Sequence, residues 1–414
     1  MRILFVHQNF PAQFKYLAPT LASHHQVFAL AINKNVPEYW QGVRVIHYLP
    51  KRNSSTEIHP WLKDFESKVI RAEGIFNAAL KLKNEGFTPD LIIAHPGWGE
   101  SLFLKDVWRT AKLVMYCEFF YQGQGADVHF DPEFLNTDPE YPCRLRLKNI
   151  NNLLHFEQVS AGIAPTHWQA STFPEPFRSK ISVIHDGINT NIAVPNPNVT
   201  LSLNTHQGTA LTLSRKDEII TFVNRNLEPY RGYHIFMRSL PELLRRRPNA
   251  RVLIVGKDGV SYGNPAPEGQ TWKQLFFSEV AHQIDLSRVH FLGTLQYPVF
   301  LKLLQLSTVH VYLTYPFVLS WSLLEAMSCA CAVVASDTQP LHEVIIPNKT
   351  GQLFNFFDVQ GLVDNVCELL DQPEKRAELG NNAREFVKDN YDLQSICLPK
   401  QIAWVQNIMN AKNT

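Results

Sequence analysis

The sequence predicts an α/β protein built as two tandem doubly wound domains, each a parallel sheet with helices on both faces. Three observations carry this. Short, continuously apolar runs alternate with helical stretches along the chain, the pattern of parallel strands buried on both sides. The alternation breaks once, between Asn189 and Asp217, and then restarts. The length of 414 residues suits two domains at the usual ~100–200 residues each.

Taken in order, apolar runs place strands at Ile3–Val6, Val27–Ala31, Val43–His47, Leu91–Ala94, Leu113–Cys117, Gly162–Ala164 and Ile181–Ile184. Helical patterns fall near Phe14–Ala22, Trp61–Asn84, Ser101–Trp108 and Arg144–Val159. The break carries Pro195-Asn196-Pro197-Asn198 and no sustained period, so it reads as a linker or extended surface loop. Strands then follow at Ile219–Val223, Val252–Val255, Val289–Leu292, Val309–Leu313 and Val333–Ala335. Helices fit Ile235–Arg247, Trp272–Ile284, Val299–Leu306, Leu323–Ser328, Val359–Leu370, Lys375–Asn390 and Ser395–Met409. The expected division is residues 1–188, residues 189–394, and a last helix over 395–414.

Composition excludes several classes. Lys+Arg of 39 against Asp+Glu of 38 leaves a net charge of +1, so no basic field calls for nucleic acid. Hydrophobic residues at 45% and charged residues at 19% are ordinary for a globular chain. Six cysteines without a C-x-x-C pair offer neither a disulfide framework nor zinc spacing, which points to a reduced, cytoplasmic protein. The apolar start Ile3–Val6 gives way at once to His7, too short for a signal peptide, and no run is long enough for a transmembrane helix. Any work at a membrane is expected as surface contact on its inner face.

In an open α/β sheet, ligands bind beyond the C-terminal strand ends, so chemistry is sought just after strands. Arg225 and Arg231 stand in Asn224-Arg225-Asn226-Leu227-Glu228-Pro229-Tyr230-Arg231-Gly232, after the first strand of the second half. Two arginines on one strand–helix loop suit a diphosphate, although solvated surface arginines look the same in sequence. Gly256 ends the next strand, where a ligand's approach or a simple turn would equally use it. Tyr315 to Met327 follows the strand Val309–Leu313 and opens a helix whose free amides suit an anion. There Glu325 has two readings: a ribose ligand, or half of a capping box Ser322-x-x-Glu325, which spacing alone favours. In the first half, His95, Trp98 and Glu100 follow one strand, and Glu118 and Tyr121 follow the next. Gly97-x-Gly99 lacks the third glycine of a dinucleotide fingerprint, and the first strand–helix turn, His7 to Gln13, lacks it altogether. There is no Walker loop, G-x-S-x-G elbow, H-E-x-x-H or Asp-x-Asp metal motif. Arg245-Arg246-Arg247 ends a helix and suits its dipole without further partners.

Together these segments resemble the retaining glycosyltransferases of family 4, whose GT-B fold has two Rossmann-like domains facing a central cleft. The resemblance is densest from Ile219 to Gly351. It implies that Arg225 and Arg231 clamp the donor diphosphate, with Arg in place of the family's Lys at 231. It also implies that Glu325 binds the donor ribose, that the Ser320 and Trp321 amides meet the diphosphate, and that Phe291–Thr294 lies near the base. Thr166 and Ile184-His185-Asp186-Gly187 match the inter-domain segment, and the last helix, anchored by Trp404, is expected to return to the first domain. The chain departs from the family at Phe317, where the first motif glutamate would fall, at Ala330 and Pro11-Ala12, where glycines are usual, and at Glu118, where relatives place a histidine.

The function implied is transfer of a sugar from a nucleoside diphosphate sugar to an acceptor hydroxyl with retention, in glycoconjugate or polysaccharide synthesis. Arg225, Arg231 and Glu118 are the expected catalytic residues. Donor contacts fall to Arg225, Arg231, Gly256, Ser320, Trp321 and Glu325. Acceptor contacts fall to His95, Trp98, Glu100, Glu118 and Tyr121, the acceptor being a glycan, lipid or small molecule. No metal or other cofactor and no nucleic-acid partner is expected. A GT-B nucleotide-sugar epimerase and a non-catalytic nucleotide- or sugar-binding module are the alternatives.

Overall fold

Strand β1 (Arg2–Val6) shows why these runs form a sheet buried on both faces. Ile3 and Phe5 enter one hydrophobic cluster and Leu4 and Val6 the opposite one, all at 0% exposure. A computed structural model describes residues 1–204 and 210–411. These divide into two compact units: Met1–Gly187 with Gln394 onward, and Ile188–Leu393.

The first unit continues with β2 (Gln26–Ala31), β3 (Tyr39–Trp40), β4 (Val43–His47), β5 (Leu91–Ala94), β6 (Lys112–Tyr116), β7 (Ala161–Ala164) and β8 (Ile181–Val183). Their order is β3-β4-β2-β1-β5-β6-β7-β8, parallel throughout except for the β3–β4 pair. The strand expectations hold here to within a residue or so, with β3 the addition. Helix boundaries moved more. The stretch 144–159 is two helices, Tyr141–Lys148 and Ile150–Phe156. They meet at Asn149, whose side-chain amide accepts from the Tyr121 N–H at 3.0 Å and donates to the Tyr121 carbonyl at 2.8 Å. The stretch 101–108 contracts to Leu104–Val107. The last helix, Leu398–Asn410, belongs to this unit: Trp404 and Val405 are buried in the same cluster as Ile3 and Phe5, and Lys112 Nζ donates to the Ile408 carbonyl at 2.7 Å.

In the second unit the expected linker contains structure. Strands β9 (Thr200–Asn204) and β10 (Ala210–Ser214) pair antiparallel, and Leu201 and Leu213 are buried in the unit's core. Thr-Leu-Ser-Leu and Ala-Leu-Thr-Leu do alternate with period 2, but each run is short and set among Asn, Thr and Pro. The main sheet comprises β11 (Ile219–Asn226), β12 (Arg251–Lys257), β13 (Val289–Gly293), β14 (Val309–Tyr312), β15 (Ala332–Ser336) and β16 (Gln352–Phe354), the last not anticipated. The order β13-β12-β11-β14-β15-β16 is all parallel. Phe222 on β11 stacks on Phe236 of the helix Tyr233–Arg246 with centroids 4.3 Å apart, both at 0% exposure. Each such ring contributes roughly 1.5–3 kcal/mol by burial. The three arginines ending this helix do have partners: Glu242 for Arg245, Asp364 for Arg246, and Glu218 with Asp371 for Arg247.

Both sheets therefore reverse direction beside their first strand, between β1 and β5 and between β11 and β14. Such switch points open the crevice in which doubly wound sheets hold ligands.

Two stability predictions follow from buried or constrained backbone. Ala330 adopts a left-handed conformation with φ of 58° after the helix Trp321–Ser328. A Cβ costs about 1–2 kcal/mol in that region, partly offset by glycine's larger unfolded entropy. Ala330→Gly should therefore raise stability by about 0.5–1 kcal/mol in urea melts. His310 on β14 is fully buried, its Nδ1 2.8 Å from Thr221 Oγ1, and burial pushes its pKa from 6.5 down to about 4. The neutral ring is native, so its contribution is complete above pH 6.5 and is lost as pH falls towards 4. The unfolding equilibrium should shift by about tenfold per pH unit across that window from this group. Urea titrations of His310→Asn at pH 7 and pH 5 should show a smaller pH dependence than wild type.

Candidate functional site

In the second unit the site begins with a bulge. Val223 pairs with Val255 and Asn226 with Lys257, so β11 carries an extra residue where Asn224 and Arg225 face Gly256. Bulges of this kind re-aim side chains at strand ends, and Arg225 is exposed. A Cβ on Gly256 would lie 2.6 Å from Leu227 Cδ2, so close packing by itself calls for a glycine here.

The chain then turns through Glu228-Pro229-Tyr230-Arg231, with the Arg231 N–H donating to the Glu228 carbonyl at 3.1 Å. Gly232 follows at φ of +65°, and a Cβ there would lie 2.3 Å from Leu313 Cβ. No other residue fits, and the helix Tyr233–Arg246 starts directly after it. This geometry drives Arg231 inward to 6% exposure. Its Nη1 donates to Thr314 Oγ1 at 2.7 Å, the Val318 carbonyl at 3.1 Å and the Tyr312 hydroxyl at 3.4 Å. The guanidinium carbon lies 5.2 Å from the Tyr262 ring centre. Among the described residues no carboxylate forms an ion pair with it. Its hydrogen bonds go to neutral groups, and the Glu228 charge acts on it without bonding it; a buried cation bonded in this way is costly, and an incoming anion offsets that cost.

Glu228 was not anticipated. It is fully buried, and its carboxylate accepts from three consecutive amides: Ser261 at 3.0 Å, Tyr262 at 3.3 Å and Gly263 at 3.2 Å. In sequence it looked like any loop acid.

After β14, Phe317 is buried against Tyr262 and Tyr230, with centroids 4.9 and 5.5 Å away. The helix Trp321–Ser328 is capped by Ser320, whose Oγ accepts from the Ser322 N–H at 3.3 Å. That overturns the capping box: Ser322 lies inside the helix, and the position three past the cap is Leu323. Glu325 is half-buried and accepts from the Tyr297 hydroxyl at 2.8 Å. The Ser320 N–H, expected to meet a diphosphate, donates instead to the Tyr312 hydroxyl at 3.1 Å. Trp321 presents an exposed side chain.

In the first unit the switch point gathers His7 after β1, His95 and Trp98 after β5, and Glu118 after β6. The His95 ring stacks on Trp98 at 4.7 Å and packs against His7 at 5.1 Å. Its Nδ1 accepts from the Gly97 N–H at 3.1 Å, and its Nε2 lies 3.4 Å from Glu118 Oε2. Gln13 Nε2 donates to Glu118 Oε1 at 3.5 Å. Burial, and then the charge of His95, lower the His7 pKa well below its usual value. His7 and Gln13 lie in the turn dismissed for lacking glycines, although a histidine directly after the first strand was the signal. Glu100 does not join this group. It is at 0% exposure with Tyr48 Oη donating to it at 3.0 Å, and burial raises its carboxyl pKa, so it presents no surface to an acceptor here. Tyr121 is tied to Asn149, its ring under Lys148 Nζ at 3.7 Å.

Residues 23–193 match the Glycosyl transferase family 4 group, and residues 209–386 match the Glycosyl transferases group 1. The chain belongs to these glycosyltransferase families. Its fold agrees with solved GT-B structures. One is Anabaena HepE in complex with UDP and glucose (TM-score 0.69, 17% identity, 98% of this chain and 99% of that one). Another is sucrose-phosphate synthase from Thermosynechococcus elongatus (TM-score 0.72, 17% identity, 99% of this chain and 100% of that one). A GDP-mannose-dependent alpha-(1-6)-phosphatidylinositol monomannoside mannosyltransferase of Mycolicibacterium smegmatis is 23% identical over 55% of this chain and 57% of its own length. A D-inositol 3-phosphate glycosyltransferase of Corynebacterium efficiens is 28% identical over 42% of this chain and 39% of its own length. The chain thus spans about half the length of the curated relatives it matches. Among the described residues, no helix is long and apolar enough to cross a membrane.

The two arginines differ sharply in burial, and stability should separate them. Arg225→Ala should change stability by less than about 0.5 kcal/mol, as an exposed side chain does. Arg231→Ala strips buried Thr314 and Val318 of their donor and should cost roughly 2–3 kcal/mol. Urea midpoints of both variants check this.

Proposed function

We propose that this glycosyltransferase moves a sugar from a nucleoside diphosphate sugar to an acceptor hydroxyl with retention of configuration. The observation that carries the reading is Arg231, a buried guanidinium at the switch point of the second unit that, among the described residues, forms no ion pair with a carboxylate. Arg231, with Arg225 at the bulge, takes the diphosphate and stabilises charge on the departing phosphate, the contribution that usually dominates such catalysis. The amide end of the helix Trp321–Ser328 adds its dipole. Two cations and a dipole supply the positive charge, so the reading calls for no metal. Glu325, already accepting from Tyr297, binds the ribose diol. In the first unit the reading gives the acceptor to Glu118, His95, Trp98 and Tyr121. The pairing of His95 Nε2 with Glu118 Oε2 orients that carboxylate. Support comes from Anabaena HepE, solved with UDP and glucose, and from relatives named for mannosyl and glycosyl transfer.

A second reading rests on Phe317. The ring buried against Tyr230 and Tyr262 fills a position from which a polar side chain would hydrogen-bond a sugar, as a non-catalytic binding module would tolerate.

The test is a thermal-shift and turnover screen of UDP-, GDP- and ADP-sugars. One of them should raise the melting temperature and release nucleoside diphosphate when an acceptor is supplied, with the rate unchanged by EDTA. Binding without transfer on any acceptor would favour the module, and strict divalent dependence would contradict the arginine mechanism. Glu325→Gln should weaken nucleoside diphosphate binding by about 1–3 kcal/mol, because the charged acceptor for the diol is lost. Titration calorimetry with UDP, GDP and ADP measures it.

A further inference from the structure

We infer that Glu228 is a positioning residue of the donor site, holding the loop after β12 so that Tyr262 seats the Arg231 guanidinium. The inference rests on the proposed role of Arg231 as a diphosphate ligand and goes on to name what orients it. Several contacts converge on this residue and on the loop that its carboxylate holds. Glu228 has no exposed surface, and it receives three consecutive amides, Ser261, Tyr262 and Gly263, in one cradle. The backbone of the same residue accepts the Arg231 N–H at 3.1 Å, so one residue holds both the arginine's main chain and the loop above it. The loop is pinned a second time by Asn226 Nδ2 on Ser261 Oγ at 2.5 Å. The Tyr262 ring centre lies 5.2 Å from the Arg231 guanidinium carbon and 4.9 Å from the Phe317 ring centre. Arg231 in turn holds the loop after β14 through Thr314 and Val318. The chain of contact is Glu228 to the 261–263 amides, to Tyr262, to Arg231, to residues 314–318.

Glutamine in place of Glu228 is close to isosteric, but its NH2 group would face backbone N–H donors where a carboxylate oxygen now accepts. A merely local structural role predicts loss confined to residues 261–263. Positioning predicts loss that travels. Hydrogen exchange on the full chain should therefore show faster exchange both at 261–263 and at 314–320 in Glu228→Gln. Tyr262→Ala, which leaves the carboxylate and the three amides in place, should speed exchange at 314–320 while 261–263 stay protected. Calorimetry with UDP, GDP and ADP, against the corresponding nucleosides, gives the second readout. Both variants should weaken the diphosphate by about tenfold or more, with the nucleoside changed much less. Glu228→Asp, should Glu228→Gln fail to fold, tests the same reach with the charge retained. Exchange at 314–320 matching wild type in both variants overturns the inference, and so does an equal loss for diphosphate and nucleoside. Wild-type protein that binds no nucleoside diphosphate overturns the function proposed above, and the exchange result still decides Glu228.

Discussion

The second unit is organised around one buried charge. Arg231 enters the interior because Gly232 turns left-handed against Leu313, where any Cβ would collide. Once inside, its Nη1 binds three acceptors, Tyr312, Thr314 and Val318, on the strand and loop that follow the neighbouring crossover. Two segments more than 80 residues apart are thereby held to one guanidinium. The Tyr312 hydroxyl also accepts from the Ser320 N–H, so the entry to the helix Trp321–Ser328 depends on the same cluster. A buried cation bonded in this way to neutral oxygens keeps the capacity to attract an anion.

The two units apply one topology to different chemistry. Each sheet places its first strand between the second and the fourth of its main order, and each collects polar side chains at that reversal. In the second unit these are arginines, with carboxylates holding backbone amides and a tyrosine hydroxyl. In the first they are two histidines, a tryptophan and a half-buried glutamate, stacked closely enough that His95 adds to the burial that lowers the His7 pKa. The arginines offer charge-assisted donors, and the first unit's cluster offers a stacked group of hydrogen-bonding side chains.

Backbone conformation persists where the usual residue is gone. Ala12 and Ala330 stand where the family resemblance leads one to expect glycine, and both keep a positive φ, of 38° and 58°. At Ala330 the surroundings impose it: the carbonyl of this residue lies 2.3 Å from where a Cβ on Gly380 would sit, so the turn is wedged against the helix Pro373–Tyr391. Tertiary packing outweighs the local steric preference of alanine at that position.

Local pattern alone was enough for most of the architecture. Continuous apolar runs such as Leu91–Ala94 and Val309–Leu313 can bury both faces only in a parallel sheet, and the reach of a helix follows from its 3.6 period, so these elements were legible. Arg225, Arg231, Glu325, His95 and Glu118 were also legible as candidates, because the residues just after strands are the ones such a sheet exposes to ligand. What the sequence left open depends on partners distant along the chain. The hairpin β9–β10 is held by Leu201 and Leu213 in a core assembled from other elements. The division at Asn149 depends on Tyr121, the burial of Glu100 on Tyr48, and the rejected capping box on a cap set by Ser320. Glu228 is the clearest case. Its role comes from three amides some 33 to 35 residues away, and no local rule distinguishes a glutamate that organises a loop from one that merely faces water. Periodicity and steric preference act over neighbouring residues and are written in the sequence; the pairing of buried polar groups is decided only when the chain has brought them together.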